Sequence, residues 1–274
     1  MLSLLDAKIS VSYYTFSLSI AQLITSVVYS IIMVSIPRLS YYYGSGDENN
    51  YSDLLNQVAR TFLFLVIPMG IGLCCVSDEV MLIYAGEKYL EAGFILKLFS
   101  LRIVMWALDQ LLANQVLFVR GYEKNITAFY FIGGFMNLIL NIVLFKLKII
   151  QPEYYVYTTL ISEFVVLVIQ VYFILKKKII PIDEILKSYM KYILCALPFF
   201  GITYGINHLL KYSLVINLQL LIRLFAIIVS CVLYYFVIML ITKDKILFDT
   251  LNAMKSKLRS IKYKLKAKKY KEQQ

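Results

Sequence analysis

Three ionisable residues stand inside stretches that are otherwise apolar enough to cross a bilayer: Arg102 and Asp109 in a run from 93 to 119, and Glu163 in a run from 154 to 175. A charge in hydrocarbon costs at least ~2.5–3.5 kcal/mol on insertion scales, so such residues face a partner or water and mark paths for ions and polar solutes. Arg102 and Asp109 lie two helical turns apart on one face, which cannot look at lipid. Arg102 and Glu163 each fall about nine residues beyond the start of their runs, hence at similar depth, ~13 Å in at 1.5 Å per residue. This spacing predicts that both face an internal cavity and come within reach of an ion pair. Asn114 and Gln115 follow in the first of these runs, and Asn137 and Asn141, four apart, make a polar stripe on another. Residues of these kinds around a cavity fit a transport role. The structural alternative stands beside this: an ion pair that ties two helices together, and amides bonded between helices.

These residues need a scaffold of membrane helices. With 60% hydrophobic and 16% charged residues and a mean hydropathy of +0.73, the chain is too apolar for a soluble domain, whose composition carries about 25% charge. A crossing helix takes ~20 apolar residues, because no backbone group in hydrocarbon can be left unpaired. About seven stretches qualify: 12–36, 59–77, 93–119, 126–147, 154–175, 189–210 and 216–242. The expected fold is an all-α polytopic transmembrane bundle. The third stretch is as long as any of them and carries polar residues inside it, so a tilt or bend is expected there. Pro37 and Pro68 lie where helices end or hinge, and Gly201 with Gly205 forms a GxxxG that predicts close helix packing.

Charge sets the orientation. Eleven of the 28 basic residues follow residue 242, against the three acids Asp244, Asp249 and Glu272. With that end inside, basic residues concentrate on the cytoplasmic side, which predicts a cytoplasmic C-terminus and an outer N-terminus. Two parts follow: a transmembrane bundle over 1–242 and a basic amphipathic tail over 243–274. In the tail Leu247, Leu251, Met254, Leu258, Ile261 and Leu265 recur at spacings of four and three, one stripe on a helix. Such a segment suits the anionic lipids of the inner leaflet, at about 1 kcal/mol per basic side chain. After so much membrane, nucleic acid is not its expected partner. Residues 1–11 have no signal-peptide pattern, so an outer N-terminus leads to the expectation of helices upstream, in a missing N-terminal half or a companion chain.

Nothing points to an enzyme. Cys74, Cys75, Cys195 and Cys231 sit in apolar stretches without metal-site spacing, His208 lies alone near an outer helix end, and no phosphate loop, HExxH or nucleophile motif is present. No cofactor or metal is expected. Asn50-Tyr51-Ser52 and Asn125-Ile126-Thr127 match the glycosylation sequon but fall on the expected cytoplasmic side.

Pro37-Arg38-Leu39-Ser40, Gly46-Asp47 and Val66-Ile67-Pro68-Met69-Gly70-Ile71-Gly72 resemble the eighth and ninth helices of the polysaccharide repeat-unit flippases, the O-antigen, capsule and teichoic-acid exporters of the MATE-like (MOP) superfamily. Tyr84-Ala85-Gly86-Glu87-Lys88-Tyr89, Leu112-Ala113-Asn114-Gln115-Val116-Leu117 with Gly121-Tyr122-Glu123-Lys124, Asn137-Leu138-Ile139-Leu140-Asn141 and Ile161-Ser162-Glu163 continue the likeness. Beyond residue 175 only topology agrees.

The resemblance implies a multi-pass protein of the bacterial cytoplasmic membrane, forming the C-terminal lobe of a two-lobed transporter. That transporter would flip undecaprenyl-pyrophosphate-linked oligosaccharides to the outer leaflet. Arg102 would contact the anion, Asp109 and Glu163 would orient it or couple ions, and Asn114, Gln115, Asn137 and Asn141 would hydrogen-bond the sugar or hold helices. The alternatives are a small-molecule antiporter of the same superfamily and a membrane polysaccharide polymerase or glycosyltransferase. Short outer loops argue against the last.

Overall fold

The computed structural model describes residues 4–248 apart from 211 and 213, with side chains from residue 8 onward. Two compact units divide the chain, 1–231 and 232–274. The helices are α1 (Leu4–Gly44), α2 (Glu48–Cys75), α3 (Ser77–Ala85), α4 (Ala92–Leu111), α5 (Glu123–Lys146), α6 (Pro152–Lys177), α7 (Asp183–Ala196), α8 (Phe199–Leu209) and α9 (Leu218–Ile241). Among the described residues there is no strand. The all-α bundle expected from the sequence is therefore the observed class. The tail stripe from Leu251 onward lies outside the described residues.

Among the described residues, six helical runs are long and apolar enough to span a membrane, with α7 and α8 together making one of them. The remaining expected stretch, 93–119, is α4 continued by a π-helical segment, Leu112–Phe118. Its length is sufficient, but Lys97, Arg102 and Asp109 make it too charged to face lipid. The structure resolves that conflict by enclosing α4, which packs against α1, α2 and α6. Leu96, Phe99, Ile103 and Ala107 of α4 are buried, as are Phe62, Leu63 and Ile67 of α2 and Ile32 of α1. Helix α5 does the opposite: only Phe129 and Gly133 are buried, while Phe131 and Phe135 stand 74% and 66% exposed, as lipid-facing side chains should. Apolar residues thus stand on the outside as well as in the core, while the charges of α4 turn to other helices, as a hydrocarbon solvent requires.

Turn chemistry fixes the antiparallel entry of α2. Gly46, at φ +76°, takes a backbone conformation that a side chain would strain, and the Asp47 carboxylate then caps α2 by accepting from the Asn50 backbone N–H at 3.1 Å. Arg120, in the turn before α5, stacks between the Tyr43 and Tyr51 rings and pairs with Glu48 at 2.6 Å. This clamps the α1–α2 corner to the end of the π segment.

The prolines and the GxxxG behave differently from the sequence expectation. Pro37 and Pro68 lie inside α1 and α2 without ending either helix; the break falls instead at Pro198, which separates α7 from α8. A Cβ added at Gly201 or Gly205 would meet nothing within 4 Å, so that pair makes no close helix contact. The close approaches are elsewhere. A Cβ at Gly70 on α2 would lie 3.2 Å from the Ser100 carbonyl of α4, and one at Gly133 on α5 would lie 2.3 Å from Val166 Cγ2 of α6. Small residues let backbones approach, which is how helices associate where burial from water gives no drive.

Candidate functional site

The tight α5–α6 contact at Gly133 opens on one side into a cavity of about 400 Å³ between α4, α5 and α6. Arg102, Trp106, Asp109 and Gln110 of α4 line it, with Tyr130 and Asn137 of α5 and Thr159, Ser162 and Glu163 of α6. Arg102 donates from Nε to both carboxylate oxygens of Glu163 at 2.9 and 2.8 Å, and its Nη2 adds a third bond to the same group. The pair joins α4 to α6 and stays partly open to the cavity, with 25% and 30% of the two side chains exposed.

Two turns further along, Asp109 accepts from Gln170 Nε2 at 2.8 Å, Tyr130 OH at 2.8 Å and Gln110 Nε2 at 2.9 Å. Asp109 is thus held from three sides and is 8% exposed. Among the described residues it makes no hydrogen bond to Arg102, whose partner is Glu163. The two contacts form parallel rungs, since Glu163 and Gln170 repeat on α6 the seven-residue spacing of Arg102 and Asp109 on α4.

The amides divide. Asn137 lines the cavity and donates weakly to Thr159 Oγ1 at 3.4 Å; Asn141 donates to Asn137 Oδ1 at 2.9 Å and accepts from Thr158 Oγ1 at 2.7 Å. Asn137 and Thr159 also line a second cavity of about 380 Å³ with Asn141, Tyr14 and Tyr155, so the polar surface continues along α5 and α6. Asn114 and Gln115 point elsewhere. Asn114 donates to the Gln110 carbonyl and side-chain oxygens, both at 3.0 Å. Gln115 is fully buried and donates to Ser35 Oγ of α1 at 2.7 Å, while its backbone carbonyl accepts from Tyr51 OH at 2.9 Å. Both residues lie in the π segment, where a carbonyl released from the helical ladder takes a tertiary donor.

Sequence reasoning did not single out Gln170, Tyr130, Gln110, Trp106 or Thr159. Gln170 carried a usable signal: it stands seven residues after Glu163 on the face that Glu163 already marks as polar. Tyr130 carried none, because a tyrosine in an apolar run is common at any depth. Among the described residues no group of His, Cys, Asp and Glu could hold a metal ion.

The lipid II flippase MurJ family matches residues 3–225. A solved structure of lipid II flippase MurJ in an inward closed conformation resembles the chain with a TM-score of 0.63 at 20% identity, over 84% of this chain and 47% of that one. The chain thus spans about half the length of that protein. No curated protein matches it. The superfamily expected from the motifs is therefore reached through its lipid II branch and not through the repeat-unit exporters whose segments the sequence resembles.

Proposed function

The chain belongs to the lipid II flippase MurJ family, and from that premise we propose that it is the C-terminal lobe of a flippase for polyprenyl-diphosphate-linked sugars, with lipid II as its cargo. The observation that carries the reading is the Arg102–Glu163 pair, which joins the enclosed α4 to α6 yet is open to a polar cavity. A sugar head group and diphosphate need water, hydrogen-bonding groups and a cation along their path, while the lipid tail stays in the bilayer. Arg102 is the cation, and Asn137, Thr159 and the continuing polar surface past Asn141 are the groups that meet the sugar. Asp109 holds the α4–α6 frame with Tyr130 and Gln170. In this reading the protein is a multi-pass component of the cytoplasmic membrane, its C-terminus is cytoplasmic and its basic tail lies on the anionic leaflet. A first lobe completes the cavity.

A second cargo has a specific observation in its favour. The ordered segments over 12–175 that resemble the repeat-unit exporters fit an undecaprenyl-diphosphate-linked oligosaccharide.

Proteoliposomes holding this chain together with its companion lobe separate the readings. Fluorescent lipid II and a fluorescent repeat-unit lipid are each followed by accessibility to an outside quencher. The expected result is translocation of lipid II that Arg102→Ala abolishes. Translocation of the repeat-unit lipid alone selects the second cargo, and transport that survives Arg102→Ala removes the assigned anion contact.

A further inference from the structure

The lining of the groove does not favour an anion. Its lining carries one cation, Arg102, against two carboxylates, Asp109 and Glu163, so an entering diphosphate meets a formally negative surface and an occupied guanidinium. Glu163 takes Arg102 through Nε and Nη2, the same donor fork that would receive two oxygens of a phosphate. The two carboxylates are held very differently. Asp109 has three donors, whereas Arg102 is the only hydrogen-bonding partner of Glu163 among the described residues.

We propose that Glu163 is a resident anion: it occupies the Arg102 guanidinium while the groove is empty, and the diphosphate of the cargo displaces it. The proposal rests on the reading of this groove as the path of a diphosphate-linked lipid. Displacement asks little of the frame, because the Asp109 rung two turns away keeps α4 and α6 together through Gln170. The released Glu163 stays in the polar space of about 400 Å³, and retakes Arg102 when the cargo leaves. Such an exchange lowers the apparent affinity by the fraction of time Arg102 is free, so that the anion is held without being trapped.

Trp106 is the sole tryptophan of the chain and lines the groove beside Arg102, giving a built-in reporter. The chain in nanodiscs is titrated with undecaprenyl diphosphate and, separately, inorganic diphosphate, following Trp106 emission. Glu163→Gln, which removes the competitor, is expected to bind undecaprenyl diphosphate about tenfold more tightly than the unmodified protein, as an occupied-to-free ratio of that order requires. Arg102→Ala is expected to abolish the response. Equal or weaker binding by Glu163→Gln, with Arg102→Ala still inactive, overturns displacement and leaves the anion contact standing. If neither the unmodified protein nor Glu163→Gln binds either diphosphate, by Trp106 emission or by radiolabelled lipid, the reading of the groove fails and this proposal with it. Should Glu163→Gln not fold, Glu163→Asp keeps the charge on a shorter stem and weakens the pair; affinity above that of the unmodified protein supports displacement, and equal or lower affinity overturns it.

Discussion

Gln170 donates to Asp109 at 2.8 Å from 61 residues further along the chain, the same offset that separates Glu163 from Arg102. Equal offsets at two rungs mean that α4 and α6 run in the same direction with their heptads in register. One rung is ionic and partly exposed; the other is buried and built from amide and carboxylate.

The buried rung is a stability element. Gln170→Leu leaves Asp109 short of a donor in a place water reaches poorly, and is expected to cost about 1–3 kcal/mol. Gln170→Glu sets a second carboxylate against the first and is expected to be worse. Thermal unfolding in detergent, monitored by size-exclusion fluorescence, ranks the two.

Gly133 and Gly201 provide a paired test of helix contact. Gly133→Ala puts a methyl 2.3 Å from Val166 Cγ2, a branched side chain that cannot swing clear. It is expected to destabilise the α5–α6 contact by about 1–3 kcal/mol, the usual cost of overpacking. Gly201→Ala meets open space, and should be neutral or stabilising by about 0.4–1 kcal/mol through the lost freedom of glycine. A lower melting temperature for Gly133→Ala and an unchanged or higher one for Gly201→Ala are the expected result; equal losses would contradict the assignment of the packing contact.

Arg223 of α9 and Glu79 of α3 form the most enclosed ion pair described, 3.0 Å apart with side chains 1% and 2% exposed, and Arg223 stacks on Tyr212 at 4.6 Å. Removing one partner strands the other charge. Arg223→Met or Glu79→Gln is expected to cost about 3–5 kcal/mol, while the double change to apolar residues recovers much of that loss. The double-mutant cycle reads the coupling directly.

Asp47 sets a pH dependence at the α1–α2 turn. Donation from the Asn50 side-chain amide, and then from the Asn50 backbone N–H, holds its carboxyl below the usual carboxylate range. A carboxyl depressed in the folded state contributes above its unfolded value of about 4 and loses that contribution as pH falls through the folded value. Asp47→Ala should therefore lower the melting temperature at neutral pH, with the difference shrinking steadily below pH about 4.

How far the sequence reached differs from residue to residue. Arg102 and Glu163 were legible as partners because each is a costly intrusion in an apolar run at matching depth. Nothing in the sequence marks a partner for Arg223, and only the fold brings Glu79 of a short connecting helix against it. Gln115 was a candidate for the cargo path by its place in a polar pair, but the π segment turns it into the core against Ser35. The GxxxG at Gly201 looked like a packing site and is not one, whereas the lone Gly133 is.

By itself the sequence determined the solvent, the helical class, the approximate spans and the residues that could not face lipid, because hydrocarbon penalises every unpaired polar group along a single helix. Tertiary structure alone decided which of those residues meet. Helical periodicity fixes the face a side chain occupies, but which neighbour that face sees depends on where backbones can approach. Here that is at Gly70 and Gly133, and the contacts there bring Arg102 to Glu163 and Asp109 to Gln170.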